Sequence, residues 1–275
     1  MHDLSASIVV YKSNQRMLRQ TIESFLEATE HSILYIIDNS PTDEVSELVC
    51  HPRIKYYFNG SNLGFGPGHN VALREVLKTE VKYHLVLNPD IYFDAHVISE
   101  LHAFMESTPD AGLCMPKVLY PDGRLQPLCK LLPSPSVLFM RRFLFFMHKL
   151  TARYNHLYEL QFSGYNRIMD VPFLSGCFMF LRTDALRKVG LFDERIFLYT
   201  EDVDLSRRIH KHFRTVFYPH ATIYHYHQRG SYKNTRLLLH NVNSAIKYFN
   251  KWGWFDEERR IINQNALVKI YNELG

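Results

Sequence analysis

Residues 7–38 read SIVVYKSNQRMLRQTIESFLEATEHSILYIID, and this stretch decides the fold. It opens on a short β-branched run, Ser7–Tyr11 (SIVVY), and ends on a second apolar run, Ser32–Asp38 (SILYIID). Between them Leu18, Ile22, Phe25 and Leu26 recur on one face at helical spacing, the mark of a helix with one buried stripe. Asn39-Ser40-Pro41 follows as a turn signal. A strand, a helix and a strand in that order imply a βαβ unit with parallel strands.

The same alternation continues outward. Asp43–Cys50 reads as a helical piece, Ile54–Phe58 as a third strand, Val71–Leu77 as a helix and Tyr83–Leu87 (YHLVL) as a fourth strand. The expected fold class is therefore α/β, a mostly parallel central sheet flanked by helices. Farther along, Val97–Met105 reads as a helix and Cys114–Tyr120 as a strand running into the turn Pro121-Asp122-Gly123. Asp202–Phe213 is a helical run, a strand lies near Val216–His225, and the closing helices include Leu237, Leu238, Ala245, Ile246 and Phe249. Without an internal repeat or a low-complexity linker, the 275 residues read as one domain.

Composition narrows the function. An apolar fraction of 46% and a charged fraction of 22% are ordinary for a folded chain. The formal charge of +4 is too small for a dedicated nucleic-acid binder. Cys50, Cys114, Cys129 and Cys177 lie far apart with no CxxC pair, and read as thiols of a reducing compartment. The start, MHDLSASIVVY, lacks the basic and long apolar regions of a secretory signal. No segment has the uninterrupted apolar length of a membrane span. The expected location is the cytoplasm, including the inner face of the membrane.

That last clause rests on residues 133–165. The run SPSVLFMRRFLFFMHKLTARYNHLYEL is rich in Phe, Leu and Met but is interrupted by Arg141, Arg142, Lys149 and Arg153. Two readings stand: a helix that caps the core with snorkelling arginine stems, or an amphipathic helix lying in a membrane interface.

Several residues are placed to carry chemistry. Ligands of an open parallel sheet bind beyond the carboxyl ends of its strands. Asp38 follows the strand ILYII and Asp90 follows HLVLNP; each could equally build a turn, but the two together suggest a polar site. Asn62-Leu63-Gly64-Phe65-Gly66-Pro67-Gly68-His69-Asn70 precedes a helix, so its amides could receive an anion. Its spacing is not GxGxxG, which counts against a dehydrogenase. In FDERIFLYTEDVDL, Glu201, Asp202 and Asp204 crowd one helix start. Helix-dipole complementarity explains such a cluster; so does a general base with a raised pKa. His220, His225 and His227 form no recognised zinc motif, leaving packed histidines or one partner for a carboxylate on a divalent ion.

SIVVY, IIDNS, NLGFGPGHN, LNPD, FLSGCFMFLR, FDERIFLYTEDVDLSRRI and the histidine segment occur in this order. In that order they resemble the family 2 glycosyltransferases of the GT-A fold, a Rossmann-like nucleotide-diphospho-sugar transferase fold, and in particular the rhamnosyltransferase-like bacterial members. The resemblance implies an inverting, metal-dependent enzyme using Mg2+ or Mn2+. Its donor would be a nucleotide-sugar, dTDP-rhamnose or a UDP-sugar. Its acceptor would be a lipid-linked saccharide in bacterial surface polysaccharide synthesis, O-antigen or capsule. Residues 1–125 would form the nucleotide-binding half and 126–275 the acceptor-side half. By the same resemblance Tyr11 and Asp38 would face nucleobase and ribose, while Asn62 and Gly64, with Asn70 a further candidate, would shape the nucleotide pocket. Asn88 and Asp90 stand at the positions of the DxD motif, so Asp90 would be its metal-binding carboxylate. Asp202, paired with Glu201, would be the catalytic base. His225, with His227 as the alternative, would be the late metal ligand, and Gly176 the small residue beside donor sugar and acceptor. The competing readings are a non-catalytic nucleotide-sugar-binding module and a membrane-peripheral protein with the GT-A fold; the set of Asp38, Asp90 and Asp202 argues against the first, because such a module needs no base.

Overall fold

The structure is a computed structural model that describes residues 3–143, 148–227 and 235–274. Its first half follows the alternation of the sequence. β1 (Leu4–Val10), α1 (Gln15–Ala28), β2 (Ile33–Asp38), β3 (Ile54–Phe58), α2 (Phe65–Val76) and β4 (Tyr83–Leu87) come in that order. β5 (Ile91–Phe93), α3 (His96–Ser107) and β6 (Ala111–Leu119) follow, then β7 (Cys129–Lys130), α4 (Pro135–Phe143) and α5 (His148–Tyr158). The chain continues through β8 (Met169–Asp170), β9 (Phe173–Leu174), β10 (Phe178–Arg182), α6 (Thr183–Val189) and α7 (Glu201–His210). It closes with β11 (Arg214–His225), α8 (Thr235–Trp252) and α9 (Glu257–Leu274).

Local chemistry sets the first unit. The Asn14 side chain caps α1 by accepting from the Met17 amide at 3.1 Å, relieving one of the unpaired first-turn donors. Leu18, Ile22 and Phe25 bury the apolar stripe. β1 and β2 then pair in parallel from Ser5↔Ile33 to Val10↔Asp38. All five residues of β4 are buried, as a strand covered on both faces requires.

Among the described residues the main sheet runs β3-β2-β1-β4-β10-β6-β11-β5, with β8 paired to β11. It is parallel from β3 to β4. β10 is antiparallel to β4 and pairs likewise with β6, and β5 is antiparallel to β11. One face carries Leu18, Phe25, Leu101 and Met105 of α1 and α3. The other carries Leu73, Leu205, Ile209 and Ile270 of α2, α7 and α9. Cys114, Cys129 and Cys177 are buried and Cys50 exposed, all as free thiols.

Three local expectations shift. Asp43–Cys50 holds only a short 3-10 turn, Ser46–Val49. α2 begins at Phe65 rather than Val71, because Gly66, Pro67 and Gly68 lie within its first turn, where proline's missing N–H has no helical partner to lose. Residues 133–165 form two helices, α4 and α5, and a 3-10 turn at Gln161–Ser163; residues 144–147 of that stretch lie outside the described residues. Val137 and Leu138 pack inward while Phe139, Tyr154 and Leu157 stay exposed. Among the described residues no helix is long and apolar enough to cross a membrane.

Candidate active site

The carboxyl ends of β1, β2 and β4 and the start of α7 converge on one edge of the sheet. β4 ends at Leu87, and the Asn88 amide donates to the Cys177 carbonyl at 2.9 Å. This bond joins LNPD to the Gly176-Cys177 turn that enters β10. The Gly176 amide in turn donates to Asp202 Oδ2 at 2.9 Å, and the Val203 amide to Oδ1 at 2.9 Å. A Cβ on Gly176 would stand 3.0 Å from Asp202 Cβ and 3.3 Å from the Phe65 ring. Glycine is what lets the carboxylate reach this turn.

β11 delivers His225 to the same edge. Its Nε2 lies 3.3 Å from Asp90 Oδ1 and 3.4 Å from Asn88 Nδ2. Its Nδ1 lies 3.0 Å from Gln126 Oε1. The Gln126 amide nitrogen faces the His225 and Leu119 carbonyls at 2.6 and 3.3 Å, which fixes the oxygen toward Nδ1. Nδ1 therefore donates to Gln126, leaving Nε2 as the ring's free lone pair. An imidazole lone pair and a carboxylate oxygen facing each other form a donor set that suits a cation. Asp90 and His225, the latter held from behind by Gln126, fit a divalent cation. Nothing in the sequence around Gln126 pointed to this role.

Asp202 and Glu201 diverge. Neighbouring residues on a helix point about 100° apart, and Glu201 turns toward Gly66, its Cβ 3.5 Å from where a Gly66 Cβ would stand. Burial and the charge of Asp202 push the Glu201 carboxyl well above its ordinary range. Burial also raises Asp202, against the Gly176 amide and the charge of Lys130, which favour its ionised form. Tyr199 and Thr200 both hold left-handed conformations, φ 68° and 61°, immediately before α7. Such backbone is strained for non-glycine residues and is a recurring feature of functional sites. Lys130, on β7, is a second residue that sequence reasoning did not single out.

The remaining candidates group at the ends of β1 and β2. Tyr11 stands just past β1 and is largely exposed, and Asn62 lies exposed on the rim. The Asp38 carboxylate is fully buried, with Oδ1 accepting from the Ser40 amide and Oδ2 lying 2.8 Å from the Tyr56 hydroxyl. Gly64 caps α2 at φ 95°.

The glycine loop does different work from that expected. The Phe65 amide donates to the Phe197 carbonyl and the Gly68 amide to the Gly64 carbonyl, so neither is open to an anion. A Cβ on Gly64 would stand 2.2 Å from the Phe197 oxygen, and one on Gly66 2.9 Å from Phe192 Cβ. Asn70 donates to the Phe192 carbonyl and accepts from the Phe192 amide. The loop thus receives residues 192–197, the approach to α7, and sets where Asp202 stands.

Among the described residues, Asp3, His102 and Glu106 are the one group of three His, Cys, Asp or Glu side chains close enough to share a metal ion. They lie at the opposite end of β1, where Asp3 bonds to His102 and Glu106 bonds to Tyr83 and Lys82.

Acidic residues and a histidine thus stand together at the carboxyl edge of a mostly parallel sheet. The chain belongs to the glycosyltransferase-like family 2, whose model matches residues 2–242. An N-acetylglucosaminyl-diphospho-decaprenol L-rhamnosyltransferase of Mycobacterium tuberculosis is 27% identical over 285 residues, covering 98% of this chain and 92% of the relative. The Escherichia coli K12 rhamnosyltransferase WbbL is 24% identical, covering 96% of each chain. Among solved structures, GalNAc-T7 with UDP, GalNAc and Mn2+ superposes with a TM-score of 0.60 at 13% identity, over 81% of this chain and 42% of that one. The mannosyltransferase PcManGT of Pyrobaculum calidifontis, in complex with GDP-Man and Mn2+, gives 0.57 at 14% identity, over 83% and 58%. The chain thus spans less than two thirds of either solved structure. Both are similar in fold, and that fold is GT-A.

Proposed function

We propose that this chain is an inverting glycosyltransferase that moves a sugar from a nucleotide-sugar donor to a lipid-linked saccharide in bacterial surface polysaccharide synthesis. dTDP-rhamnose is the first choice of donor and a UDP-sugar the second. The observation that carries the reading is Asp202, whose carboxylate is fixed by the Gly176 and Val203 amides on the turn that the Cys177 carbonyl joins to Asn88. The similarity to two rhamnosyltransferases, one named for a decaprenyl-diphosphate-linked substrate, supports the choice of sugar and acceptor.

In this reading Asp202 accepts the proton of an acceptor hydroxyl as that oxygen attacks the anomeric carbon from the side opposite the leaving nucleotide. A single displacement inverts the anomeric centre and requires no enzyme nucleophile. Each Asp202 oxygen already accepts one backbone hydrogen bond and keeps a lone pair for the proton. Burial and the charge of Asp202 raise the Glu201 carboxyl well above its ordinary range, which favours the negative charge on Asp202 over Glu201. Asp90 and His225 would hold Mg2+ or Mn2+, which when bound offsets the charge that grows on the departing diphosphate. Tyr11, Asn62, Gly64 and the wall around Asp38 would surround the nucleoside. The outer faces of α4 and α5 would rest against the membrane that carries the acceptor.

Nucleoside diphosphate release across a panel of sugar nucleotides, with Mn2+, Mg2+ or chelator, identifies the donor and tests the cation. NMR of the product's anomeric proton tests inversion. Asp202→Asn is expected to lower kcat by about 100- to 10,000-fold, the range for losing a positioned base, with donor affinity unchanged by calorimetry. Wild-type turnover in that variant would remove Asp202 as the base.

A further inference from the structure

β7 and β9 form a small antiparallel ribbon in which Lys130 lies opposite Phe173 and Cys129 opposite Leu174. Residues directly opposite in such a pair project to the same face, and Lys130 Nζ stands 5.4 Å from the centre of the Phe173 ring. Phe173 packs with Val203, the residue after Asp202. The ribbon is also tied to α7 by Ser206 Oγ, one turn beyond Asp202, which donates to the Leu174 carbonyl at 3.2 Å. Lys130 therefore reaches toward the first turn of α7, where Asp202 stands.

The ammonium lies in the field of the site without being paired there. Its charge acts on Asp202 and on Cys177, and Asp90 acts on Cys177 as well, in keeping with a place beside the turn that links Asp202 to LNPD. Among the described residues no hydrogen bond or ion pair reaches Lys130 Nζ. The neighbouring cation, Arg141, already has a carboxylate, that of Glu159 at 2.7 Å. Lys130 is partly buried, and burial works against its charged form. A cation withdrawn from water is costly unless an anion or hydrogen-bond acceptors face it. An anion brought by a substrate meets that need, and lysine is a point-charge partner for phosphate.

Two diphosphates meet in the proposed reaction. That of the donor falls to the cation at Asp90 and His225. That of the acceptor joins its sugar to its lipid, so it lies between the hydroxyl that Asp202 deprotonates and the helices set against the membrane. Lys130 occupies that interval, beside Asp202 and five residues before α4 begins at Pro135. We propose that the Lys130 ammonium binds the diphosphate of the lipid-linked acceptor and so holds the acceptor sugar against Asp202. This rests on the transferase reading above and gives its acceptor a phosphate contact.

The test is equilibrium binding of farnesyl diphosphate and of farnesol, its neutral counterpart, with Mn2+ and saturating dTDP or UDP present to fill the donor's phosphate position. The wild type is expected to prefer the diphosphate to the alcohol. Lys130→Met should lose about 10- to 100-fold of that preference, as for removing a hydrogen bond to a charged group, while its affinities for farnesol and for the nucleoside diphosphate stay as they were. Lys130→Arg should keep the preference. If the Met variant fails to fold, Lys130→Gln repeats the test. An unchanged preference in Lys130→Met overturns the proposal. A weakened nucleoside diphosphate with farnesyl diphosphate unaffected also overturns it, giving Lys130 to the donor. Inorganic pyrophosphate that binds as tightly as farnesyl diphosphate would mark a free-phosphate site and overturn the acceptor assignment. A wild type that binds farnesyl diphosphate through Lys130 yet releases no nucleoside diphosphate from any donor would keep the phosphate contact and overturn the transferase reading. Sugar transfer by a wild type that ignores farnesyl diphosphate would do the reverse.

Discussion

At the scale of single residues, the site depends on atoms behind the reacting groups. Gln126 holds His225 Nδ1 and so aims Nε2 at Asp90. Gln126→Leu keeps the volume but removes that acceptor. Loss of a hydrogen-bond partner behind a metal-binding histidine typically weakens the site about 10- to 100-fold, and titration of Mn2+ by electron paramagnetic resonance is expected to show a loss of this size. Unchanged Mn2+ affinity would leave Gln126 as a packing residue. Lys130 acts on Asp202 through charge, favouring its ionised form. In Lys130→Met that stabilisation is gone, the Asp202 pKa rises, and the proposed base is protonated at higher pH than before. The acid limb of kcat/KM should accordingly move to higher pH, and Lys130→Arg should restore it. A pH profile that does not move would sink the idea.

Among elements, the decisive contact is between the turn that starts α2 and residues 192–197. Gly64, Gly66 and Asn70 admit Phe192 and Phe197, and the chain then turns through Tyr199 and Thr200 into α7. Gly64→Ala would place a methyl 2.2 Å from the Phe197 oxygen at φ 95°. Left-handed strain and overpacking together are worth about 2–6 kcal/mol, so a large fall in thermal midpoint is expected by calorimetry. An unperturbed midpoint would mean that the loop relaxes freely. The glycines announced a special backbone in the sequence, but not whether a phosphate or another piece of chain would approach it. That choice depended on residues 192–197, more than a hundred positions away, which periodicity and turn rules do not link to the loop.

For the whole molecule, the sheet and α2 are joined by a buried polar chain. Ser5 Oγ meets His84 Nδ1, His84 Nε2 meets Ser7 Oγ, and Ser7 Oγ meets His69 Nδ1, at 2.7–2.8 Å. Burial lowers both imidazoles, His84 to about 3 and His69 well below its ordinary value. In the unfolded chain each titrates near its usual value of about 6.5. Their contribution to stability is therefore complete above that value and is lost as pH falls from there toward the folded-state values. For His84 alone the loss approaches about 5 kcal/mol. Urea unfolding at stepwise lower pH is expected to show this decline, with a shallower slope in His84→Gln, which keeps polar partners for Ser5 and Ser7 but cannot charge. Equal slopes in the two proteins would remove His84 from the account.

The sequence by itself determined the parallel unit of β1, α1 and β2, and the placement of Asp38 and Asp90 at strand ends. Those features follow from periodicity and turn chemistry within a few tens of residues. It also held the segments that mark the family. The tertiary structure alone decided that β10 enters antiparallel beside β4, that Gly176 receives Asp202, and that Gln126 supports His225. It likewise decided that the glycine loop seats the approach to α7. Each is a contact between stretches far apart in the chain, specified by packing and by the need to pair buried polar groups, for which no local pattern carries a signal.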